Sequence, residues 1–329
     1  MHELRKDPIM SRWVAVMRDS LRPEDYDRQT ACITKSDCFF CASSDHPIVE
    51  VPAGIPDYPE WSLKVIRSKV PILSSDGTLG RRGKGIYDVM NSFGADEAII
   101  ESPSHDMQPE DMGPGLIRKI IGLQRERILA LEADEKVRYV LVSRNVIKGG
   151  NLYVHPHSRL IASPVIPNRI KAELDGAKNY YSYKERCIYC DIMQEELRDG
   201  SRIIMESEHF VAFCPYAPRF SFEFWIMPKR HSCEFKQITD VEADDLSVLF
   251  SSLLRKMRSV LGEPSWSYVV HSAPNRIPRR NYWHTLGDDY HWHIEVMPRL
   301  RRLSGVELGS GFYVVETSPE DAAKYLKEG

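Results

Sequence analysis

Apolar residues recur at helical spacing in two long stretches. Between Pro109 and Asp134 they are Leu116, Ile120, Ile121, Leu123, Ile128, Leu129 and Leu131, the pattern of a helix with one buried face. In the second stretch they are Leu246, Leu249, Phe250, Leu253, Leu254 and Met257. Thr239-Asp-Val-Glu242 ahead of them reads as a capping box that starts this helix. Each helix is followed by a short run rich in β-branched and aromatic residues, Val137–Val142 in one case and Trp266–Val270 in the other, which predicts a strand. Phe220–Ile226 partly alternates, as a half-buried strand does. Ser318 followed by Pro319 signals one more helix. Pro164–Arg186, with Pro167, Asn168 and Gly176, reads as a connector. The expected class is α+β, in two halves, residues 1–165 and 166–329, each a mainly antiparallel sheet with one long helix.

Composition narrows the classes without choosing among enzymes. Of 329 residues, 44 are Lys or Arg and 47 are Asp or Glu, a formal net charge of −3. That balance argues against a dedicated nucleic-acid binder, which carries a basic excess. No apolar run approaches the roughly 20 residues of a membrane helix, and Met1–Lys6 lacks the apolar stretch of a signal peptide. A cytoplasmic protein with no membrane and no nucleic-acid partner is expected.

Seven cysteines, an odd number, argue against a disulfide framework. Four of them form two C-x-x-C pairs, Cys38/Cys41 and Cys187/Cys190. Each pair is followed by a strand-like run, a proline and a histidine (His105 or His231), then the long helix, a strand and an H-x-H (His155/His157 or His291/His293). The same order twice, with drifting spacing, reads as an old duplication. Zinc takes four nitrogen or sulfur ligands in a tetrahedron. Site one would be Cys38, Cys41, His105 and His155. Site two would be Cys187, Cys190, His231 and one of His291 and His293, with His291 the counterpart of His155. Four protein ligands leave no open position, so both sites read as structural.

His155-Pro156-His157 offers chemistry of another kind. The two rings are expected to point to opposite sides, one to a metal and one to a cleft. A neutral imidazole can attack phosphorus and carry the group covalently, provided that donors stabilise the charge on the phosphate oxygens.

Several segments together carry a resemblance. Asn145…Gly149-Gly150-Asn151…His155-Pro156-His157-Ser158 resembles the active-site segment of the galactose-1-phosphate uridylyltransferase family, within the histidine-triad superfamily. Asp7–Val14, Arg18…Arg22-Pro23, Cys38–Cys41, Glu101–Asp106, Phe222–His231 and Tyr290–Arg299 resemble other segments of that family, in its order. The resemblance implies two histidine-triad-like halves, zinc at two sites with iron an option at the second, a homodimer, and ping-pong nucleotidyl transfer. His157 would be the nucleophile and His155 the zinc ligand that holds it. Arg18, Arg22, Asn145, Asn151 and His293 would line the substrate, and Glu101 would either orient a ligand histidine from behind or simply sit at a strand end. The family has glutamine two residues after its nucleophile; here the position is Arg159, a longer, charged donor to the transferred phosphate. An asparagine of the family is Ser68. UDP-glucose with a hexose 1-phosphate is the expected donor and acceptor pair. An ADP-sugar phosphorylase is the alternative enzyme, and a nucleotide-binding protein without turnover is the reading of a different class.

Overall fold

The computed structural model describes residues 2–8, 12–16, 35, 38–42, 47–52, 61–147, 155–277 and 283–329. In chain order the first half holds β1 (Glu3–Lys6), β2 (Trp13–Val16), α1 (Phe39–Ala42), β3 (Val49–Pro52), β4 (Trp61–Arg67), β5 (Arg82–Lys84), β6 (Tyr87–Asn91), β7 (Ala95–Ile100), α2 (Pro114–Glu132), β8 (Tyr139–Val146) and β9 (His157–Ser163). The second half holds α3 (Asn168–Lys184), α4 (Ile188–Asp199), β10 (Ile203–Glu206), β11 (Phe210–Phe213), β12 (Phe224–Pro228), α5 (Asp240–Leu261), β13 (Trp266–His271), α6 (Leu286–Asp289), β14 (His293–Pro298), α7 (Gly305–Ser310) and α8 (Pro319–Glu328). This is an α+β fold, as the patterning implies.

Ten strands form one sheet in the order β10-β11-β12-β14-β13-β8-β9-β7-β4-β3. The order is a palindrome: five strands of one half meet five of the other at the β8–β13 seam, where Val142 pairs with Val270 and Val146 with Trp266. A smaller sheet, β2-β1-β6-β5, has no counterpart among the elements the patterning implies.

The long helices α2 and α5 cover one face. Ile117, Ile120, Ile121 and Ile128 of α2 and Leu246, Leu249, Leu253, Leu254 and Met257 of α5 join Val140, Val142, Leu160, Trp266, Ile294 and Val296 in a single core. Burying a leucine fully is worth about 1.5–3 kcal/mol, and Leu246 is wholly enclosed. Leu129 is the exception to the expected stripe, exposed at the far side of α2. Both capping predictions hold. The Thr239 side chain accepts from the Glu242 amide in a full capping box, and Ser318 caps α8 with Pro319 in its first turn. The expected strand at Phe220–Ile226 starts later, at Phe224, because Phe222 turns the chain at φ +64°.

The stretch expected to be a connector is instead α3, 17 residues long. Ile170, Leu174 and Ala177 lie on one face and are buried against Tyr139, Tyr189 and Met193 on the other face of the sheet. That buried face outweighs Gly176, whose cost inside a helix is only about 1 kcal/mol. Pro167 falls just before the first turn, where a missing N–H costs nothing.

Candidate active site and metal centres

Each C-x-x-C sits where a helix begins. Cys38 precedes α1, which carries Phe40 and Cys41; Cys187 is the N-cap of α4, which carries Cys190. Each H-x-H straddles the start of a strand. His155 lies in the loop before β9 and His157 opens β9, as His291 lies before β14 and His293 opens it. Two residues apart in a continuous strand would share a face. The rings of His155 and His157 diverge because His155 has not yet entered the strand.

The four expected ligands of each site converge. Cys38, Cys41, His105 and His155 place their ligand atoms within 4.8 Å of one another, and so do Cys187, Cys190, His231 and His291. The Cys41 sulfur is 3.4 Å from Nδ1 of His105 and 3.3 Å from Nδ1 of His155. The Cys190 sulfur is 3.3 Å from Nδ1 of His231 and 3.4 Å from Nδ1 of His291. A tetrahedral ion with ordinary zinc–sulfur and zinc–nitrogen bonds would set that edge at about 3.5 Å. The far nitrogens of two of these histidines are tied as well. His155 Nε2 donates to the Ser102 carbonyl at 2.8 Å and His231 Nε2 to that of Gly287 at 2.9 Å, which leaves each Nδ1 as the ligand atom. Burial pushes the Cys41 thiol up to about 11, with Cys38 beside it adding to the shift, so a cation is what would bring Cys41 to the thiolate form. Donor set and spacing thus fit a divalent metal at both clusters.

His157 is held for a different task. Its Nδ1–H donates to the His155 carbonyl at 2.8 Å, which puts the lone pair on Nε2. The Phe40 ring lies 4.3 Å from the imidazole, centroid to centroid. Burial lowers the pKa of His157 to about 4, with the cations Arg144 and Arg159 adding to it. The imidazole is therefore neutral well below the usual histidine range, with its lone pair on Nε2. If the nucleophile is this ring, its reaction with a nucleotide sugar keeps a constant rate as pH falls through 6.5 and loses half only near about 4. Stopped-flow quench across that range checks this, and a half-loss near 6.5 would contradict it.

The second H-x-H repeats the geometry and closes it off. His293 Nδ1 donates to the His291 carbonyl at 3.1 Å, and Tyr189 stands where Phe40 does, 5.1 Å from the ring. But His293 is fully buried, stacked between Trp225 at 4.8 Å and His271 at 4.9 Å. A substrate would have to open this core to reach it. Behind it lies a charged cluster that the sequence did not announce. His271 Nδ1 is 2.8 Å from Glu173 and its Nε2 is 3.0 Å from Glu295; Arg169 and Arg219 reach Glu295 from outside. Burial alone would lower His271, yet the two carboxylates raise it to about 9. Glu173, His271 and His293 also form a third group with ligand atoms within 4.8 Å, whose His271 has both ring nitrogens in ion pairs.

Among the other expected site residues, Asn145 has its side-chain oxygen bonded by Ser267 at 2.9 Å and Arg299 at 3.3 Å, across the seam between the halves. Glu101 does not touch a ligand histidine. Its carboxylate pairs with Arg144 at 2.6 Å, both buried, on the side of β9 opposite His157; the Ser102 carbonyl does the orienting instead. Arg159 is bound to Asp96. Arg18, Arg22 and Asn151 lie outside the described residues.

The family model described as galactose-1-phosphate uridyl transferase, C-terminal domain, matches residues 173–315. An ADP-glucose phosphorylase of Arabidopsis thaliana is 32% identical over 99% of this chain and 92% of its own length. The chain belongs to the galactose-1-phosphate uridylyltransferase family. As a member of this family it is an enzyme of the uridylyltransferase kind. A solved uridylyltransferase superposes with TM-score 0.79 at 27% identity, covering 99% of this chain and 98% of the other. The solved Arabidopsis thaliana ADP-glucose phosphorylase with bound ADP-glucose gives 0.74 at 30% identity, over 100% and 99%. Among the described residues, no helix of this family member is long and apolar enough to cross a membrane.

Proposed function

We propose that this chain is an ADP-sugar phosphorylase working through a nucleotidyl-histidine. The observation that carries the reading is the neutral, Nδ1-anchored His157 in a chain that shares 32% identity with an ADP-glucose phosphorylase over nearly its full length. In the first half-reaction, Nε2 of His157 attacks the α-phosphorus. The bond from that phosphorus to the bridging oxygen breaks, and sugar 1-phosphate leaves with the electron pair. In the second, an oxygen of inorganic phosphate attacks the same phosphorus, the P–N bond breaks, and ADP leaves as the imidazole regains its lone pair. The His155 carbonyl steadies the positive charge that the ring acquires, through the Nδ1–H it already accepts.

Zinc bound at the two Cys/His clusters would supply cross-linking and orientation, since all four positions are protein ligands. In this reading Cys38, Cys41, His105 and His155 hold the base of the catalytic loop, and Cys187, Cys190, His231 and His291 brace the other half. By their place in the family's motifs, Arg18, Arg22 and Asn151 meet the phosphates, a task that suits the forked, always charged guanidinium.

The test is intact-protein mass spectrometry after incubation with ADP-glucose and with UDP-glucose, separately. The expected result is a gain of one AMP from ADP-glucose, lost again on adding inorganic phosphate, with ADP as product. A UMP adduct discharged by a hexose 1-phosphate and not by phosphate would move the chain to the uridylyltransferase reading. Absence of any adduct in metal-replete protein would remove the covalent mechanism.

A further inference from the structure

The residue two positions after His157 is held by a carboxylate that nothing in the sequence singled out. Asp96, on β7, has a fully buried side chain. Its Oδ1 accepts from the Ser68 hydroxyl at 2.6 Å and from Arg159 Nε at 2.7 Å, and its Oδ2 accepts from the Ile72 amide at 2.8 Å and from Arg159 Nη2. Four donors fill the four lone-pair positions of a carboxylate, so Asp96 has no capacity left for proton transfer and acts by position alone. Both departures from the family's pattern at this end of the site, Ser68 and Arg159, meet on it.

The register gives the direction of the pull. On the β7–β9 ladder, Ile100 lies opposite His157, Ala98 opposite Arg159 and Asp96 opposite Ile161. At about 3.4 Å per residue, Asp96 sits roughly 14 Å along the sheet from His157. The guanidinium therefore leans away from the nucleophile, toward the turn at Ser68–Ile72. A cation closing directly on the nucleotidyl-histidine would stabilise that intermediate, and stabilisation that the following transition state does not exceed slows its discharge. We propose that Asp96 is a positioning residue that retracts Arg159 from the phosphate carried by His157, and so lets an arginine stand there without trapping the intermediate. This rests on the reading of His157 as nucleophile.

The test measures discharge of the pre-formed adduct by phosphate in four chains: wild type, Asp96→Asn, Arg159→Gln and the double variant. Metal content and melting temperature serve as folding controls, and ADP-glucose is the probe. Asp96→Asn should slow discharge about tenfold while formation of the adduct changes less, so that the adduct accumulates. In the Arg159→Gln background the same substitution should change discharge less than twofold, and Arg159→Gln alone should discharge at least as fast as wild type. An equal loss in both backgrounds would make Asp96 a merely structural residue and overturn the proposal. So would a tenfold loss in Arg159→Gln alone, since the guanidinium would then be needed at the phosphate. If Asp96→Asn does not fold, the comparison of Arg159→Gln with the double variant still decides between these outcomes. No adduct in wild type would instead refute the nucleophile, and the retraction with it.

Discussion

His157→Ala should abolish the covalent adduct and lower turnover by about 10⁴-fold or more, the scale seen when a nucleophile is removed. The fold should tolerate the change. His157 is only half-buried, and its ring Nδ1 bonds to the His155 carbonyl. The cluster of Cys38, Cys41, His105 and His155 does not include it, so metal content measured by plasma mass spectrometry should equal that of wild type. Loss of one metal equivalent together with the adduct would mean that the roles of His155 and His157 are exchanged. The matching substitution in the other half, His293→Ala, removes a ring that sits fully buried between Trp225 and His271. Its effect should fall on stability, with adduct formation from ADP-glucose persisting.

The second large effect is metal loss, and it should differ between the two clusters. Cys41→Ser and Cys190→Ser each break a four-ligand set. A structural zinc site contributes on the order of 10 kcal/mol of binding free energy to folding, so either variant should lose one equivalent of metal. Each should also melt about 10 °C or more below wild type. Only Cys41→Ser should also lose adduct formation out of proportion to its melting temperature. The first cluster fixes His155, and the His155 carbonyl is the acceptor that sets the tautomer of His157. The second cluster fixes His291, whose carbonyl serves the enclosed His293. Scanning calorimetry, metal analysis and adduct mass on the same samples separate these effects. Equal catalytic loss in both variants at matched stability would show that the first cluster has no special hold on the nucleophile.

Asp96 illustrates why part of the site was not legible in the sequence. It is one acidic residue among 47, in no motif, 63 positions from Arg159. What brings the two together is the β7–β9 register, and a slip of one residue would turn every side chain of β7 to the other face. The cluster of Glu173, His271 and Glu295 was hidden for the same reason. Its members come from α3, β13 and β14, and His271 has no partner at a telling spacing. Glu101 takes the second of its two expected places, at the end of β7. It lies four residues before His105, yet its side chain crosses to Arg144 of β8. The helix at Asn168–Lys184 is masked in the sequence by Pro167 and Gly176, because the face of Ile170, Leu174 and Ala177 acts only once the sheet is there to bury it.

The sequence by itself determined the α+β class, the two long helices, the capping box that starts the second of them, and the matched order of cysteines and histidines in the two halves. It also determined which cysteines and histidines converge on two metal-competent clusters. These depend on periodicity within one element and on ligand chemistry repeated in a matching order, both of which are local. Only the tertiary structure decided which copy of the H-x-H stays open. His157 and His293 carry the same local hydrogen bond and the same kind of aromatic neighbour. They differ in what the rest of the chain packs over them. Trp225 and His271 enclose His293, whereas His157 remains half-buried beneath Phe40. Enclosure is a sum over contacts from strands and helices distant in the chain, and no short stretch of sequence contains that sum.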